Sequence, residues 1–172
     1  MKKLICLLLL LFLLVGCGAV PENAPQTTAA TSNTQNKDLL PEALLGKSPR
    51  ELMALFGNDY REVVPEGDPP YFYFEGASPY QFCGSIEDEA IFYLKGQEAG
   101  SSILPGLTVG STVEALEAWA ENTDRIYTPA DSWYETAGVE YGWAFITGSG
   151  YNYSLYIKDR VIFSFECWME TE

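Results

Sequence analysis

Twice in this chain, at an offset of 64 residues, a turn glycine is followed by a helix cap and a short amphipathic helix. The first copy runs Leu45-Gly46-Lys47-Ser48 and leads into Leu52, Ala54 and Leu55. The second runs Val109-Gly110-Ser111-Thr112 and leads into Leu116, Ala118 and Trp119. Ser48-Pro49-Arg50-Glu51 has the spacing of a capping box, in which the serine oxygen and the glutamate satisfy two orphan backbone donors reciprocally. Proline falls at the first helical position, where its missing N–H costs nothing. Leu52, Leu55 and Phe56 then share one face, and Gly57 ends the helix in the left-handed conformation. The second helix caps at Ser111, paired with Glu114, or at Thr112, which keeps the repeat in register. Its buried candidates are Leu116, Trp119 and Ala120.

After each helix the hydrophobic period changes from about 3.6 residues to about 2. Residues 71–75, 80–83 and 90–95 read as one set of strands, and residues 141–147, 152–158 and 161–168 as a second. Asp159-Arg160 is a tight link inside the second set. The expected fold is α+β: two tandem units of a short helix followed by an antiparallel β-meander, about 41–98 and 104–170, with the helices on one face of the sheet. A unit of roughly sixty residues buries little core alone, so the halves are expected to pack together, as one sheet or as two.

Alternation along these strands assigns Phe72, Phe74, Phe92, Leu94, Leu155, Phe163 and Phe165 to the helix-covered face. It assigns Tyr71, Tyr73, Tyr93, Tyr156 and Trp168 to the other. Rings with a polar tip are enriched at binding surfaces, so those five form a candidate binding surface. The competing reading packs this second face against the other half or against loops. Trp133 and Tyr134 fall in a loop that could flank it.

The chain begins with Lys2 and Lys3, and then twelve apolar residues, 4–15. That run is too short to span a bilayer and reads as a signal peptide. Leu14-Val15-Gly16-Cys17 resembles the bacterial lipobox. The resemblance implies cleavage before Cys17 and a diacylglycerol on its sulfur, with each buried methylene contributing ~0.8 kcal/mol to anchoring. Residues 1–16 are therefore expected to be a lipoprotein signal peptide. Residues 17–38 are expected to be the lipidated cysteine with a flexible tether, rich in Thr, Ala, Asn, Gln, Ser and Pro and too polar to offset its ordering entropy. Residues 39–172 are the expected globular domain. The implied address is the extracytoplasmic side of the cell membrane, or the outer membrane where the cell has one.

The stretch Gly46-Lys47-Ser48-Pro49-Arg50-Glu51-Leu52-Met53-Ala54-Leu55-Phe56-Gly57 resembles the helix-then-meander unit of small bacterial lipoproteins of the outer-membrane lipoprotein A type. The same unit stands in tandem in secreted β-lactamase inhibitory proteins. In the second copy here, Ala115 stands where glutamate is expected and no glycine follows Ala120. The resemblance implies a non-enzymatic binding or assembly module whose sheet grips another protein.

Charge and composition exclude much else. With 24 acidic and 10 basic residues the net charge is −14, the wrong sign for neutralising nucleic-acid phosphates. The chain has no histidine, and with it go the commonest general base and the commonest metal ligand. Glu87, Asp88 and Glu89 are adjacent in sequence and read as a solvated charge run, not as a catalytic pair. No cofactor and no metal are expected. Of the four cysteines, Cys6 leaves with the signal and Cys17 is lipidated, so Cys83 and Cys167 remain. Export favours a disulfide between them, whereas strand parity points Cys167 inward and Cys83 the other way unless a bulge at Gly84 intervenes. The expected function is a membrane-anchored lipoprotein that binds a protein partner. The alternative is a glycan or peptidoglycan binder that uses exposed Tyr and Trp rings.

Overall fold

The computed structural model describes residues 36–129 and 133–170, so the signal segment, Cys17 and the tether as far as residue 35 lie outside the described residues. Helix α1 (Pro49–Phe56) starts as its cap dictates. The Ser48 side chain accepts from the Glu51 N–H, and the Ser48 N–H donates to Glu51 Oε2 at 2.8 Å. These hydrogen bonds from Ser48 hold the Glu51 carboxyl below the usual carboxylate range. Leu52 and Phe56 are buried at i, i+4, but Leu55 lies at the rim of the stripe and is half exposed, not inward as expected. Helix α2 (Val113–Ala120) is capped by Thr112, whose hydroxyl accepts from the Ala115 N–H. It buries Val113 and Leu116, while Trp119 is half-buried.

Among the described residues eleven strands occur, in chain order β1 (Tyr60–Val63), β2 (Tyr71–Phe74), β3 (Tyr80–Cys83), β4 (Tyr93–Gly96), β5 (Ser102–Leu104), β6 (Leu107–Thr108), β7 (Ile126–Thr128), β8 (Tyr134–Thr136), β9 (Val139–Gly148), β10 (Tyr151–Lys158) and β11 (Val161–Met169). Nine of them form one antiparallel sheet in the order β1-β2-β3-β4-β11-β10-β9-β7, with β8 also on the outer edge of β9. Strands β5 and β6 make a separate ribbon. The expected α+β fold of two tandem helix-plus-meander units is thereby overturned. The domain is largely β, with two eight-residue helices among the described residues and a single sheet running through both halves. The physical cause is the pairing of β4 with β11, where Tyr93 faces Trp168 and Gly96 faces Phe165. That non-local ladder consumes an edge that each meander would otherwise expose.

One side of the sheet carries the core. Phe72, Phe74, Phe82, Leu94, Leu155 and Phe165 are fully buried there under α1, α2 and the β5–β6 ribbon. Phe56 of α1 packs on Phe74 and Phe82 with ring centroids 5.3 and 6.1 Å apart. Tyr80 and Phe165 meet edge to face across Gly96. A methyl group at Gly96 would overlap the Phe165 ring, so the gap between these rings can be filled only by glycine.

Two residues assigned to the core from alternation are instead exposed. Phe163 is the extra residue of a β-bulge: Tyr156 faces Ser164 while Ile157 faces Ile162, leaving Phe163 without a partner and turned outward. Phe92 precedes β4, and Ile91 takes the inward position, tied to the α1 entry by the Ile91 N–H to Lys47 C=O bond.

Residues 36–46 form a strap across the core side. Asn36–Asp38, within the stretch expected to be tether, make a 3₁₀ turn. Tyr80 donates its hydroxyl to the Leu39 carbonyl, Leu44 and Leu45 are buried, and the Gly46 N–H donates to the Ile91 carbonyl. Glu42 is clamped by Arg125, which is largely buried, and by the Tyr153 hydroxyl at 2.7 Å.

Candidate binding surface

Because side chains alternate across a strand, the residues between the core-facing positions of these nine strands emerge on the opposite, open face. Tyr71, Tyr73, Tyr93, Tyr156 and Trp168, the five residues singled out from sequence, all lie on this face and all are half-buried. Their rings bury one another. Tyr71 stacks on Tyr73 with centroids 6.5 Å apart and planes 26° apart, and Tyr93 on Trp168 at 6.3 Å and 19°.

The second half adds further residues to this face. Trp143 and Phe145 of β9 point to the open face because Gly142, Ala144 and Ile146 point to the core. Tyr134, expected in a loop, belongs to β8 and stacks on Tyr141 at 5.3 Å, with Trp143 6.3 Å away. Phe163 stands 6.5 Å from Tyr156 by virtue of the bulge. Ile126 of β7 is the most open of the group at 68% exposure, and Tyr134 follows at 51%. The alternation of residues 141–147 held the signal for Trp143 and Phe145. The bulge and the short outer strands gave none.

Trp133 does not join this surface. It packs against the Gly142 backbone on the core side, where a methyl group at Gly142 would stand 2.7 Å from its ring, and the Arg160 guanidinium lies 5.5 Å from the ring centre. Around its edge, Tyr134, Glu135, Gly138, Glu140 and Asp159 line an open pocket of about 380 Å³.

The centre of the open face is polar. The Tyr156 hydroxyl donates to Glu166 Oε2 at 2.8 Å, and Lys95 Nζ lies 4.0 Å from Glu166 Oε1. Burial first, and Glu166 second, push the Tyr156 phenol up to about 12 and the Tyr93 phenol well above its ordinary range. Both therefore stay neutral donors at physiological pH. Cys83 sits nearby on the same face, its thiol pushed up by burial. Cys167 is on the core face, also pushed up by burial, to about 12. Both thiols are free in this structure and lie two strands apart on opposite sides of the sheet, the arrangement that strand parity indicates. Among the described residues no group of three His, Cys, Asp or Glu side chains could hold a metal ion.

No protein-family model matches the chain, and no curated protein matches it. Among solved structures it is similar to an extracellular protein containing an SCP domain from Bacillus anthracis str. Ames, with a TM-score of 0.51 and 9% sequence identity. The likeness covers 89% of this chain and 50% of that one, so the chain spans about half the length of its structural neighbour. At that identity the similarity is one of fold alone. Among the described residues no helix is long and apolar enough to cross a membrane.

Proposed function

We propose that this protein is a lipid-anchored extracytoplasmic module that holds a protein partner on the open face of its sheet and performs no chemistry of its own. One observation carries the reading: Ile126, Tyr134, Trp143, Phe145 and Phe163 are exposed together on the open face in the second half of the sheet, and the half-buried tyrosines of the first half lie on the same face beyond Glu166 and Lys95. Contiguous exposed apolar surface of this kind, rimmed by polar groups, marks interaction sites. Trp and Tyr are also the residues that dominate binding energy when buried by a partner. Exposed aliphatic and phenyl side chains, Ile126, Phe145 and Phe163, stand beside the tyrosines and Trp143, and these suit the apolar side chains of a protein better than a sugar.

The anchor rests on Leu14-Val15-Gly16-Cys17, which lies outside the described residues. Cys17→Ser is expected to move the protein from the membrane fraction to the soluble fraction and to abolish labelling by a fatty-acid analogue. For the surface itself, a photoreactive residue at position 143 in living cells should give a protein cross-link, and one at position 55 on the exposed side of α1 should give none. Equal products at both positions, or a fluorescence response to cell-wall fragments that Trp143→Ser removes, would overturn the protein-binding reading.

A further inference from the structure

We infer that the occupant of the open face is a second copy of this chain, the two sheets packing face to face. This deepens the reading given under Proposed function and rests on it. Three observations support the assignment.

Charge is distributed unevenly over the molecule. The chain has 24 carboxylates, yet the open-facing strand positions carry one, Glu166, against Arg61, Lys95 and Lys158. Glu75, just past β2, is paired with Arg61 at 2.9 Å, and Glu166 has Lys95 beside it. A basic partner would be drawn to the carboxylate-rich remainder of the surface, away from this face. An acidic chain bearing the same carboxylate-poor aromatic patch, with Arg61 paired to Glu75 and Lys95 beside Glu166, can approach here without setting carboxylate against carboxylate, and this protein is such a chain.

Area fits as well. Eight rows of strands, four residues long in β1–β4 and eight to ten long in β9–β11, make up the face. At about 4.8 Å per row and about 3.4 Å per residue they project roughly 800 Å². That is about the per-partner area of a standard-size stable interface.

The composition of the face also suits sheet packing. Antiparallel sheets stack about 10 Å apart with strands within about 30° when interdigitating side chains fill the gap. Two-fold packing makes the patch self-complementary: the exposed rings of β7–β11 in one copy lie over the flatter Tyr71, Tyr73 and Tyr93 region of the other, and the reverse. Shared membrane anchoring would raise the encounter rate without any new contact.

The test uses the full chain in its own membrane, with a photoreactive residue at position 143 and the product identified by mass spectrometry. The expected product has twice the mass of the chain and contains only its peptides. Phe145→Ser should reduce its yield about tenfold or more, the weight of a central aromatic anchor. Maleimide labelling of Cys83, half-buried on the same face, gives a second readout that does not depend on the cross-linker: it should quicken in Phe145→Ser and stay unchanged in Leu55→Ser. A cross-link from position 143 to a different protein overturns this inference and leaves the binding module intact. No cross-link at position 143, with Cys83 labelled equally fast in every variant, overturns both.

Discussion

The two faces of this sheet are built from the same strands and are rich in the same kind of ring, yet they do different work. On the core face Phe72, Phe74, Phe82 and Phe165 are fully buried under the helices and the ribbon. On the open face Tyr71, Tyr73, Tyr93, Tyr156 and Trp168 bury one another only in part and keep polar tips. Aromatic content alone does not separate stability from recognition. What separates them is whether a ring is covered by its own chain, and whether it carries a hydroxyl or indole N–H that needs a partner when covered.

Substitutions can break or sharpen that contrast. The largest expected effect is Phe82→Ala, which removes a ring packed on Phe56, Phe72 and Phe74 and should cost about 3–5 kcal/mol in a denaturant melt. A cost below about 1 kcal/mol would mean that the core face is no better packed than the open one. Next is Gly96→Ala, where the added methyl must displace the Phe165 ring; about 1–3 kcal/mol is expected, measured the same way. Removing the α1 cap with Ser48→Ala should cost about 1 kcal/mol, leaving the open face unaltered. Smallest is Phe145→Ser, within about 0.5 kcal/mol for folding although it strips a ring from the binding surface.

Alkaline pH should act on both faces with one sign. Burial raises the phenols of Tyr80 and Tyr153 on the core side, that of Tyr156 on the open side and the thiol of Cys167. A group whose folded pKa is raised contributes stability fully below its unfolded pKa and loses it as pH rises through the folded value. Stability should thus be flat to about pH 9 and decline between pH 9 and 12 as the unfolded chain releases these protons first. A melting temperature constant to pH 11 would contradict the burial of these groups.

Local features of the fold were legible in the sequence, and features made by distant or irregular pairing were not. The capping box, the end of α1 at Gly57 and the alternation of β2 follow from nearest-neighbour chemistry and are present in the structure, although Gly57 ends the helix at φ 94° and ψ 179° and not in the left-handed helical conformation expected. The two-unit α+β picture failed because the β4–β11 ladder joins residues about seventy positions apart, which no local periodicity records. Strands β1, β7 and β8 were invisible because most of their residues are exposed and no alternation marks them. On the candidate surface, strand parity puts the five named residues on the open face and carries Trp143 and Phe145 with them. Phe163 was misplaced because a bulge cannot be counted from period alone.

That bulge has a consequence for how the surface could have arisen. With Phe163 set aside, Ile162, Ser164 and Phe165 already alternate inward, outward, inward. Deleting Phe163 would therefore iron the strand straight without reversing any neighbour. The chain could gain or lose this ring in a single event, altering what the molecule can adhere to while its interior stays as it is.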